Sequence, residues 1–334
     1  MKLDIPSKPI KIMEVCGTHT SSIYKNGIHS LISDKITLVS GPGCPACVTP
    51  PSVIDGLIAM AQDAEVLSFG DMFRVPGTSS SLAQAKAEGA GVRLIYSPLE
   101  VLALAKENPS TRFVVAAVGF ETTAPVYGAL MDALIREDIQ NVTLYTALKT
   151  IPEALEYICV QEEIDAFICP GHVSVIIGCE AYNVLAQKYH KPFVIAGFEA
   201  EHILGALHEI LRQHKTGQHQ VKNLYPSVVR EQGQGKALKL IDKYFEKTHS
   251  YWRGIGEIEN SGYVLRKEYK RFSANIPGVY EKGDLPEGCS CAEVLLGRIL
   301  PKACPLFGEV CNPKNPVGPC MASTEGACRI HSGG

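Results

Sequence analysis

Short apolar runs alternate with amphipathic stretches along the first 250 residues. Most of these runs are apolar nearly throughout, which is typical of strands covered on both faces of a sheet. The predicted strands are 10–15, 36–40, 65–69, 93–96, 112–118, 142–146, 165–169 and 192–196. The predicted helices are 52–62, 81–88, 98–107, 124–136, 151–162, 175–189, 200–215 and 226–247.

This alternation predicts an α/β fold with parallel sheets and right-handed crossovers. An Asn-Pro-Ser sequence at 108–110 favours a division into two similar α/β domains, 1–110 and 111–250. The remaining segment, 251–334, is rich in Gly, Pro and Cys and weak in periodicity. Such a segment buries little apolar surface and gains stability from a metal, so we expect a smaller Cys-rich domain there.

Loops with thiol or polar side chains follow several predicted strands. They include CGTHT at 16–20, GPGCPAC at 41–47, GFETTAP at 119–125 and PGHVS at 170–174. In open α/β sheets, ligands bind outside the carboxyl ends of the strands. We therefore expect the chemistry of this protein to lie in these loops.

Composition and charge argue against several classes of function. The 334 residues include 32 Lys and Arg against 35 Asp and Glu, a net charge of −3, which gives no electrostatic case for binding nucleic acid or an anionic membrane. The apolar runs are too short to cross a bilayer, and the N-terminus has no apolar signal core, so we expect a cytoplasmic protein. In that compartment the 12 cysteines indicate metal ligands or redox groups.

The first cysteine group comprises Cys16, which opens CGTHT, and the CxxC pair Cys44 and Cys47. If both loops lie at one sheet edge, three thiolates can converge on one soft metal and leave positions open for other ligands. The alternative is a thioredoxin-like redox pair with Cys16 as a small buried residue. His19 either orients or protonates a bound group or is an ordinary hydrogen-bonded histidine.

The second group lies in the last 46 residues and is irregularly spaced: Cys289, Cys291, Cys304, Cys311, Cys320 and Cys328. Irregular spacing in a Gly/Pro-rich segment favours four-thiolate iron–sulfur ligation, with two cysteines left over for a redox disulfide. The alternative is a structural zinc site with two spare thiols. The three cysteines between the groups, Cys159, Cys169 and Cys179, are predicted core residues.

Other loop residues are also candidates for the site. Glu121 and Thr122 form a polar constellation in GFETTAP, although Thr122 or Thr123 can instead cap the following helix. His172 in PGHVS either binds a ligand or forms a hydrogen bond within its turn. The chain contains neither a GxxxxGK[ST] loop nor a GxGxxG that opens a helix, which argues against the standard nucleotide sites.

Several runs in order along the chain resemble the HypD family of hydrogenase maturation proteins. They are MEVCGTHT at 13–20, SGPGCPACVTP at 40–50, VGFETTAP at 118–125, CPGHVS at 169–174, WRGIG at 252–256, SGYVLR at 261–266 and CPLFGEVCNPKNPVGPCMASTEGAC at 304–328. The resemblance covers nearly the whole chain. It implies two similar α/β domains and a third domain that holds a 4Fe-4S cluster.

The resemblance also implies a function. Its similarity to HypD implies that the protein is a scaffold on which the Fe(CN)2CO unit of nickel–iron hydrogenases is assembled. A HypC-type chaperone brings iron, and a HypE-type donor delivers cyanide from a thiocarboxamide-derived thiocyanate. The expected cofactors are therefore a 4Fe-4S cluster and Fe(II) carrying CN and CO ligands, in an assembly scaffold with an electron-transfer role rather than an ordinary turnover enzyme.

Residue roles follow by motif from the same resemblance. The essential cysteines near the iron site correspond to Cys16, Cys44 and Cys47. The cluster ligands correspond to Cys289, Cys304, Cys311 and Cys328. A thiol pair near the cluster, similar to that of ferredoxin–thioredoxin reductase, corresponds to Cys291 and Cys320.

The leading hypothesis is that Cys44, helped by Cys47 and a HypC cysteine, holds Fe(II) while Cys16 and His19 lie near the incoming cyanide. The cluster and the Cys291–Cys320 pair would then relay electrons inward. A rival is a 4Fe-4S-dependent reductase that reduces a partner's disulfide through Cys44 and Cys47. A third hypothesis is a binding module that is stabilised by a structural zinc ion and has no redox role.

Overall fold

The computed structural model describes residues 3, 5–275, 283 and 285–333. Within them the strands are β1 Ile10–Glu14, β2 Ile36–Ser40, β3 Glu65–Ser68, β4 Val92–Leu94, β5 Phe113–Gly119, β6 Val142–Lys149, β7 Ala166–Cys169, β8 Phe193–Ile195, β9 Val221–Asn223, β10 Phe245–Trp252 and β11 Gly256–Leu265.

The helices of the first two-thirds of the chain are α1 Gly17–Lys25, α2 Pro45–Val48, α3 Pro51–Met60, α4 Gly70–Phe73, α5 Leu82–Ala87, α6 Glu100–Glu107, α7 Ala124–Arg136, α8 Ile151–Gln161, α9 Gly171–Ile177, α10 Asn183–Tyr189 and α11 Ala200–Thr216. They are followed by α12 Gly235–Tyr244, α13 Cys291–Leu295, α14 Pro319–Ala322 and α15 Ala327–His331. Short 3-10 turns cover Ile28–Ser30, Glu180–Tyr182, Lys267–Phe272 and Pro301–Ala303.

The strands form two sheets. The first sheet has the order β2-β1-β7-β8-β9, and all of its pairs are parallel. The second has the order β10-β11-β6-β5-β3-β4, in which β6, β5, β3 and β4 are parallel and the β10–β11 hairpin is antiparallel. The predicted α/β class, with two parallel-dominated sheets and a Cys-rich C-terminal region, is confirmed.

The chain passes between the sheets three times. It starts in the first sheet with β1 and β2, forms β3 to β6 of the second, returns for β7 to β9, and ends in the second with β10 and β11. Each sheet therefore takes strands from both sides of residue 110, and β11 lies beyond residue 250. The predicted boundaries at 110 and 250 therefore do not separate the two sheets. Breaks in the local sequence pattern do not show where the chain crosses from one sheet to the other.

One apolar core joins the two sheets. It includes Val114 and Val118 from β5, Phe167 from β7, and Leu57 and Leu155 from α3 and α8. β5 is buried at every position because helices or the other sheet cover both of its faces, as expected for a central parallel strand. Two further clusters cover the outer faces of the sheets. Cysteines of both groups lie in the shared core.

Two predicted helices differ from the structure. The predicted helix 175–189 is interrupted at Gly178, whose φ of +82° and contact with the Glu231 carbonyl leave no room for a side chain. The predicted helix 226–247 is shorter, because α12 begins at Gly235 and β10 begins directly after Tyr244. The β10–β11 hairpin was not predicted, since its exposed polar residues obscure the strand pattern.

In the part of the chain that the structure describes, no helix combines the length and the apolar character that a bilayer crossing requires.

The shared core yields a stability prediction on α8. Leu155 is fully buried, whereas Val160 on the same helix is 60% exposed. Leu155→Ala should lower the free energy of unfolding by about 2–5 kcal/mol, because it removes buried apolar atoms and leaves a cavity. Val160→Ala should change it by less than about 0.5 kcal/mol. Urea unfolding of both variants measures this difference, and equal losses would contradict the placement of α8 in the core.

Candidate functional site

The first sheet places two of the predicted loops side by side. β1 connects to β2 on one side, whereas β7 connects to β8 on the other, so the β1–β7 pair is the topological switch point where ligands bind in such sheets. Cys16 is the N-cap of α1 directly after β1, and His172 lies in α9 directly after β7. The Val15 N–H donates to the Ile168 carbonyl at 3.1 Å, which holds the two strand ends together.

The GPGCPAC loop packs directly on the same place. A Cβ added at Gly43 would lie 2.5 Å from the Val15 carbonyl carbon and 2.6 Å from the Cys16 nitrogen. No residue with a side chain fits that gap, so glycine allows the backbone before Cys44 to touch the backbone of Cys16. The two loops therefore meet at one edge of the first sheet.

A disulfide joins Cys44 and Cys47, with Cα atoms 5.2 Å apart. Both residues are buried, and the Cys47 N–H donates to Cys44 Sγ at 3.2 Å across the first turn of α2. This is the covalent arrangement expected of a redox pair. In this state neither sulfur is a thiolate, so metal binding at this pair requires prior reduction.

Cys16 lies beside a buried carboxyl that the sequence analysis missed. Glu14 is 2% exposed, accepts a hydrogen bond from the Cys16 N–H at 3.1 Å, and accepts another from the Thr20 hydroxyl. Burial raises the pKa of Glu14 to about 8 and the pKa of Cys16 to about 11. Both groups therefore hold their protons at neutral pH. The detectable signal was an acidic residue between the apolar residues Met13 and Val15 at the end of a predicted strand.

His19 is completely buried one turn into α1. Its Nε2 lies 3.1 Å from the Gly197 carbonyl and donates to it, while Nδ1 has no partner. Burial lowers the pKa of His19 to about 4, so the ring is neutral at pH 7 and Nδ1 offers a lone pair. The Phe198 ring contacts both His19 and His172, with centroid distances of 4.8 Å and 4.3 Å.

The GFETTAP loop follows β5, at the switch point between β3 and β5 of the second sheet. Glu121 is buried, its Oε1 accepts from the Ile151 N–H at 2.9 Å at the start of α8, and its Oε2 has no partner. Thr122 is half-buried in the turn, and Thr123 donates to the Phe120 carbonyl. The alternative role of a threonine cap is not realised: no threonine side chain caps α7, and Thr123 has helical angles rather than the extended angles of a cap.

Four sulfurs of the second group are packed together. Cys289 Sγ lies 3.3 Å from Cys291 Sγ, and Cys320 hydrogen bonds with both Cys291 and Cys328. Hydrogen bonds from Cys291 and Cys320 lower the pKa of Cys328, whereas the same network raises the pKa of Cys320 well above its usual value. The network therefore favours the thiolate form of Cys328 over that of Cys320.

The other two cysteines of the group lie nearby. Cys311 is buried, its Sγ accepts from the Val317 N–H at 3.4 Å, and burial raises its pKa. Cys291 and Cys289 lie close enough to contribute to the raised pKa of Cys311, and Cys304 lies close enough to influence the pKa of Cys328. We call Cys289, Cys291, Cys304, Cys311, Cys320 and Cys328 the C-terminal cysteine cluster.

The two cysteine groups, at opposite ends of the sequence, meet in the fold. The Ser323 hydroxyl, three residues after Cys320, donates to Cys44 Sγ at 3.4 Å. A Cβ at Gly17 would lie 2.4 Å from the Glu325 carbonyl oxygen, so the segment after Ser323 also packs on the start of α1. Sequence spacing could not show this contact.

The thiols fit an iron–sulfur cluster by their chemistry. Cysteine thiolates are the ligands of such clusters, and the C-terminal cysteine cluster brings six thiols into one region. Among the residues that the structure describes, no three His, Cys, Asp or Glu side chains form a ready-made site for a single metal ion. The fit therefore rests on the donor atoms rather than on a preformed coordination geometry.

The predicted core cysteines are placed as follows. Cys159 and Cys169 are buried in α8 and β7, as predicted, and burial raises the pKa of Cys159 to about 12. Cys179 is only partly buried, although it packs against the shared core.

The fold and the site thus define a two-sheet α/β protein in which a CxxC disulfide at a sheet switch point abuts a C-terminal cysteine cluster. The chain belongs to the HypD family: the family model described as "HypD: Hydrogenase formation hypA family" matches residues 2–333. The resemblance inferred from the sequence motifs is confirmed.

Several relatives match nearly the whole chain. A putative hydrogenase expression/formation protein of Methanocaldococcus jannaschii is 43% identical over 96% of this chain and 91% of its own. Hydrogenase maturation factor HypD of Rhodobacter capsulatus is 41% identical over 97% of this chain and 89% of its own. The Escherichia coli (strain K12) protein of the same name is 41% identical over 96% and 88%, respectively.

Gly318 allows the sulfurs of the C-terminal cluster to pack. An added Cβ would lie 2.5 Å from Cys289 Sγ and 2.8 Å from Cys291 Sγ, so Gly318→Ala should displace both thiols. Overpacking of this kind lowers the free energy of unfolding by about 1–3 kcal/mol. We expect a lower thermal unfolding temperature and faster thiol alkylation under reducing conditions. Gly205→Ala, with nothing within 4 Å, is the matched control and should not destabilise. Identical behaviour of the two variants would refute this packing.

Burial of Glu121 predicts a pH dependence of stability. Its pKa is raised from 4.5 to about 8, so between these values the folded chain keeps a proton that the unfolded chain has released. Stability conferred by the protonated carboxyl is therefore lost as pH rises through this window. Glu121→Gln keeps the acceptor for Ile151 N–H without ionising.

Chemical unfolding across that pH range should show a smaller decline for Glu121→Gln than for the parent, by up to about 1.4 kcal/mol per pH unit. Glu107→Gln, at an exposed position of α6, is the control and should follow the parent chain. Parallel curves for Glu121→Gln and the parent would show that Glu121 ionises normally.

Proposed function

We propose that this protein is a hydrogenase maturation factor, a scaffold on which the Fe(CN)2CO unit of nickel–iron hydrogenases is assembled. The observation that supports this proposal most directly is the contact between the two cysteine groups, where the Ser323 hydroxyl donates to Cys44 Sγ. An iron-binding thiol site and an electron source must be adjacent for redox chemistry on the iron cargo. Relatives named as hydrogenase maturation factors support this reading.

The iron cargo would bind at Cys44 and Cys47, with Cys16 beside them. Two electrons reduce the disulfide, RS–SR + 2e⁻ → 2 RS⁻, and release two thiolates that suit low-spin iron. Cys16 keeps its proton at neutral pH because burial raises its pKa to about 11. It can therefore lose that proton when a metal binds, or donate it to a leaving thiolate.

Cyanide delivery requires electrons as well. A HypE-type donor carries the cyano group as a thiocyanate, and its release follows R–S–C≡N + 2e⁻ → RS⁻ + CN⁻. A resident 4Fe-4S cluster, held by Cys289, Cys304, Cys311 and Cys328, would supply electrons one at a time. The thiol pair Cys291 and Cys320 would pass two electrons towards Cys44.

Buried polar groups would control protons at the iron site. His19 is neutral, and its unpartnered Nδ1 can accept a proton or a hydrogen bond from an incoming ligand. Glu121 carries an unpartnered Oε2 and a pKa raised to about 8, so it can donate a proton at neutral pH. Thr122 lies in the same loop, and His172 packs against the Phe198 ring that also contacts His19.

The expected partners are a HypC-type iron chaperone and a HypE-type cyanide donor, with no role for nucleic acid or a membrane. We expect a cytoplasmic location, where a CxxC disulfide is redox-active rather than a structural crosslink.

One observation favours a second candidate function, a 4Fe-4S-dependent reductase of partner disulfides. Cys44 and Cys47 are already joined as a disulfide beside the C-terminal cysteine cluster. In that function the pair would be reduced through the cluster and then exchange with a disulfide of a partner protein. This activity requires no bound low-spin iron.

The test is infrared spectroscopy of anaerobically purified protein, co-expressed with a HypC-type partner, with iron and sulfide analysis of the same sample. Cyanide and carbonyl stretching bands plus about four cluster irons are expected. Cys44→Ala should erase the bands and keep the cluster irons. Cys179→Ala, a partly exposed thiol outside both groups, should change neither.

A cluster without these bands, in cells that make the other maturation factors, would favour the reductase. Colourless protein with zinc would reject both functions. If the Cys291→Ser variant still supports cyanide transfer at the rate of the parent protein, the thiol pair is not part of the electron path.

A further inference from the structure

A buried arginine, Arg253, shares the surroundings of the C-terminal cysteine cluster. It follows β10 and is only 1% exposed. Its Nη1 donates to the Pro76 carbonyl at 2.7 Å, whereas its Nε has no partner. A buried guanidinium without a counter-charge is costly, so such a group normally faces an anion. The unpartnered Nε therefore points to a negative charge that the surrounding protein has to supply.

The backbone places Arg253 between the two cysteine groups. Its N–H donates to the Val48 carbonyl at 2.9 Å, one residue beyond Cys47. The next residue packs on the other group, because a Cβ at Gly254 would lie 2.9 Å from the Cβ of Ala292, which directly follows Cys291. Arg253 thus joins the end of α2 to the start of α13.

The groups near Arg253 that can carry negative charge are mostly cysteine thiols. Cys291, Cys289 and Cys320 lie within electrostatic range and favour the cationic guanidinium, although burial lowers the pKa of Arg253. Asp55 is also in range, but its carboxylate accepts from the Thr78 N–H at 2.9 Å and from the Thr78 hydroxyl at 2.5 Å. Among the described residues, no carboxylate forms an ion pair with Arg253.

We propose that Arg253 is the counter-cation of the C-terminal cysteine cluster and that it makes the reduced state of this cluster easier to reach. Thiolates, and an iron–sulfur group bound by them, carry net negative charge, and each added electron increases it. A fixed cation in a buried setting stabilises the more negative state more strongly. Arg253 therefore raises the reduction potential. The presence of iron and sulfide rests on the proposed function, whereas the placement of Arg253 among the thiols does not.

The test is a redox titration of the full-length, anaerobically purified protein, followed by electron paramagnetic resonance. Arg253→Gln removes the charge and should disfavour reduction about tenfold, a shift of about 59 mV for one electron. Arg253→Lys keeps the charge and should shift the potential less. Arg298→Gln is the matched control: Arg298 follows α13, which begins at Cys291, but it is exposed and paired with Glu162, so its removal should leave the potential unchanged.

An unchanged potential in Arg253→Gln, or an equal shift in Arg253→Lys, would overturn the proposal. Folded Arg253→Gln protein that lacks iron and sulfide, while Arg253→Lys retains them, would support it. Loss from both variants would show that Arg253 acts by packing and overturn the charge role. Thermal unfolding establishes that each variant is folded.

A parent protein without an iron–sulfur signal would reject the cluster of the proposed function and leave Arg253 to be tested on the thiols. The reaction is then RSH + RS⁻ + GSSG → RS–SR + GSH + GS⁻, in which oxidation removes the thiolate charge that Arg253 stabilises, and it is followed by alkylation and peptide mapping of Cys291 and Cys320. Arg253→Gln should oxidise with an equilibrium constant about tenfold larger, equivalent to about 30 mV for two electrons. Equal constants in the parent and the variant would overturn the proposal.

Discussion

The packing of the last cysteines onto the CxxC turn is the contact on which the site depends. The Ser323 hydroxyl reaches Cys44 Sγ, and the adjacent backbone leaves no room for a side chain at Gly17. Gly43 brings the same turn against the backbone of Cys16. Because these contacts are made by backbone atoms and small residues, they position sulfur atoms from three parts of the chain without long side chains between them.

Burial also sets the protonation states of the candidate site residues. The carboxyls of Glu14 and Glu121 have a pKa raised to about 8, and His19 has a pKa lowered to about 4. All three are therefore largely uncharged at neutral pH, because the core shared by the two sheets excludes water. A site with few fixed charges of its own responds strongly to a single buried cation such as Arg253.

Local patterns predicted most regular elements. The helix 124–136 has the predicted bounds, and the eight predicted strands lie within a few residues of β1 to β8. The β10–β11 hairpin was missed because its polar positions weaken the alternation on which strand prediction depends. The helix 175–189 was not divided, because the close approach of Gly178 to the Glu231 carbonyl is a tertiary contact.

The sequence by itself determined the α/β class, the two cysteine groups and the family, because periodicity and motif spacing are local properties that a linear chain displays directly. Tertiary structure alone decided that the chain crosses three times between sheets and that the two groups meet. It also placed Glu14, Ser323 and Arg253 at the site. Such proximity and burial arise from contacts between residues far apart in sequence, which no local pattern encodes.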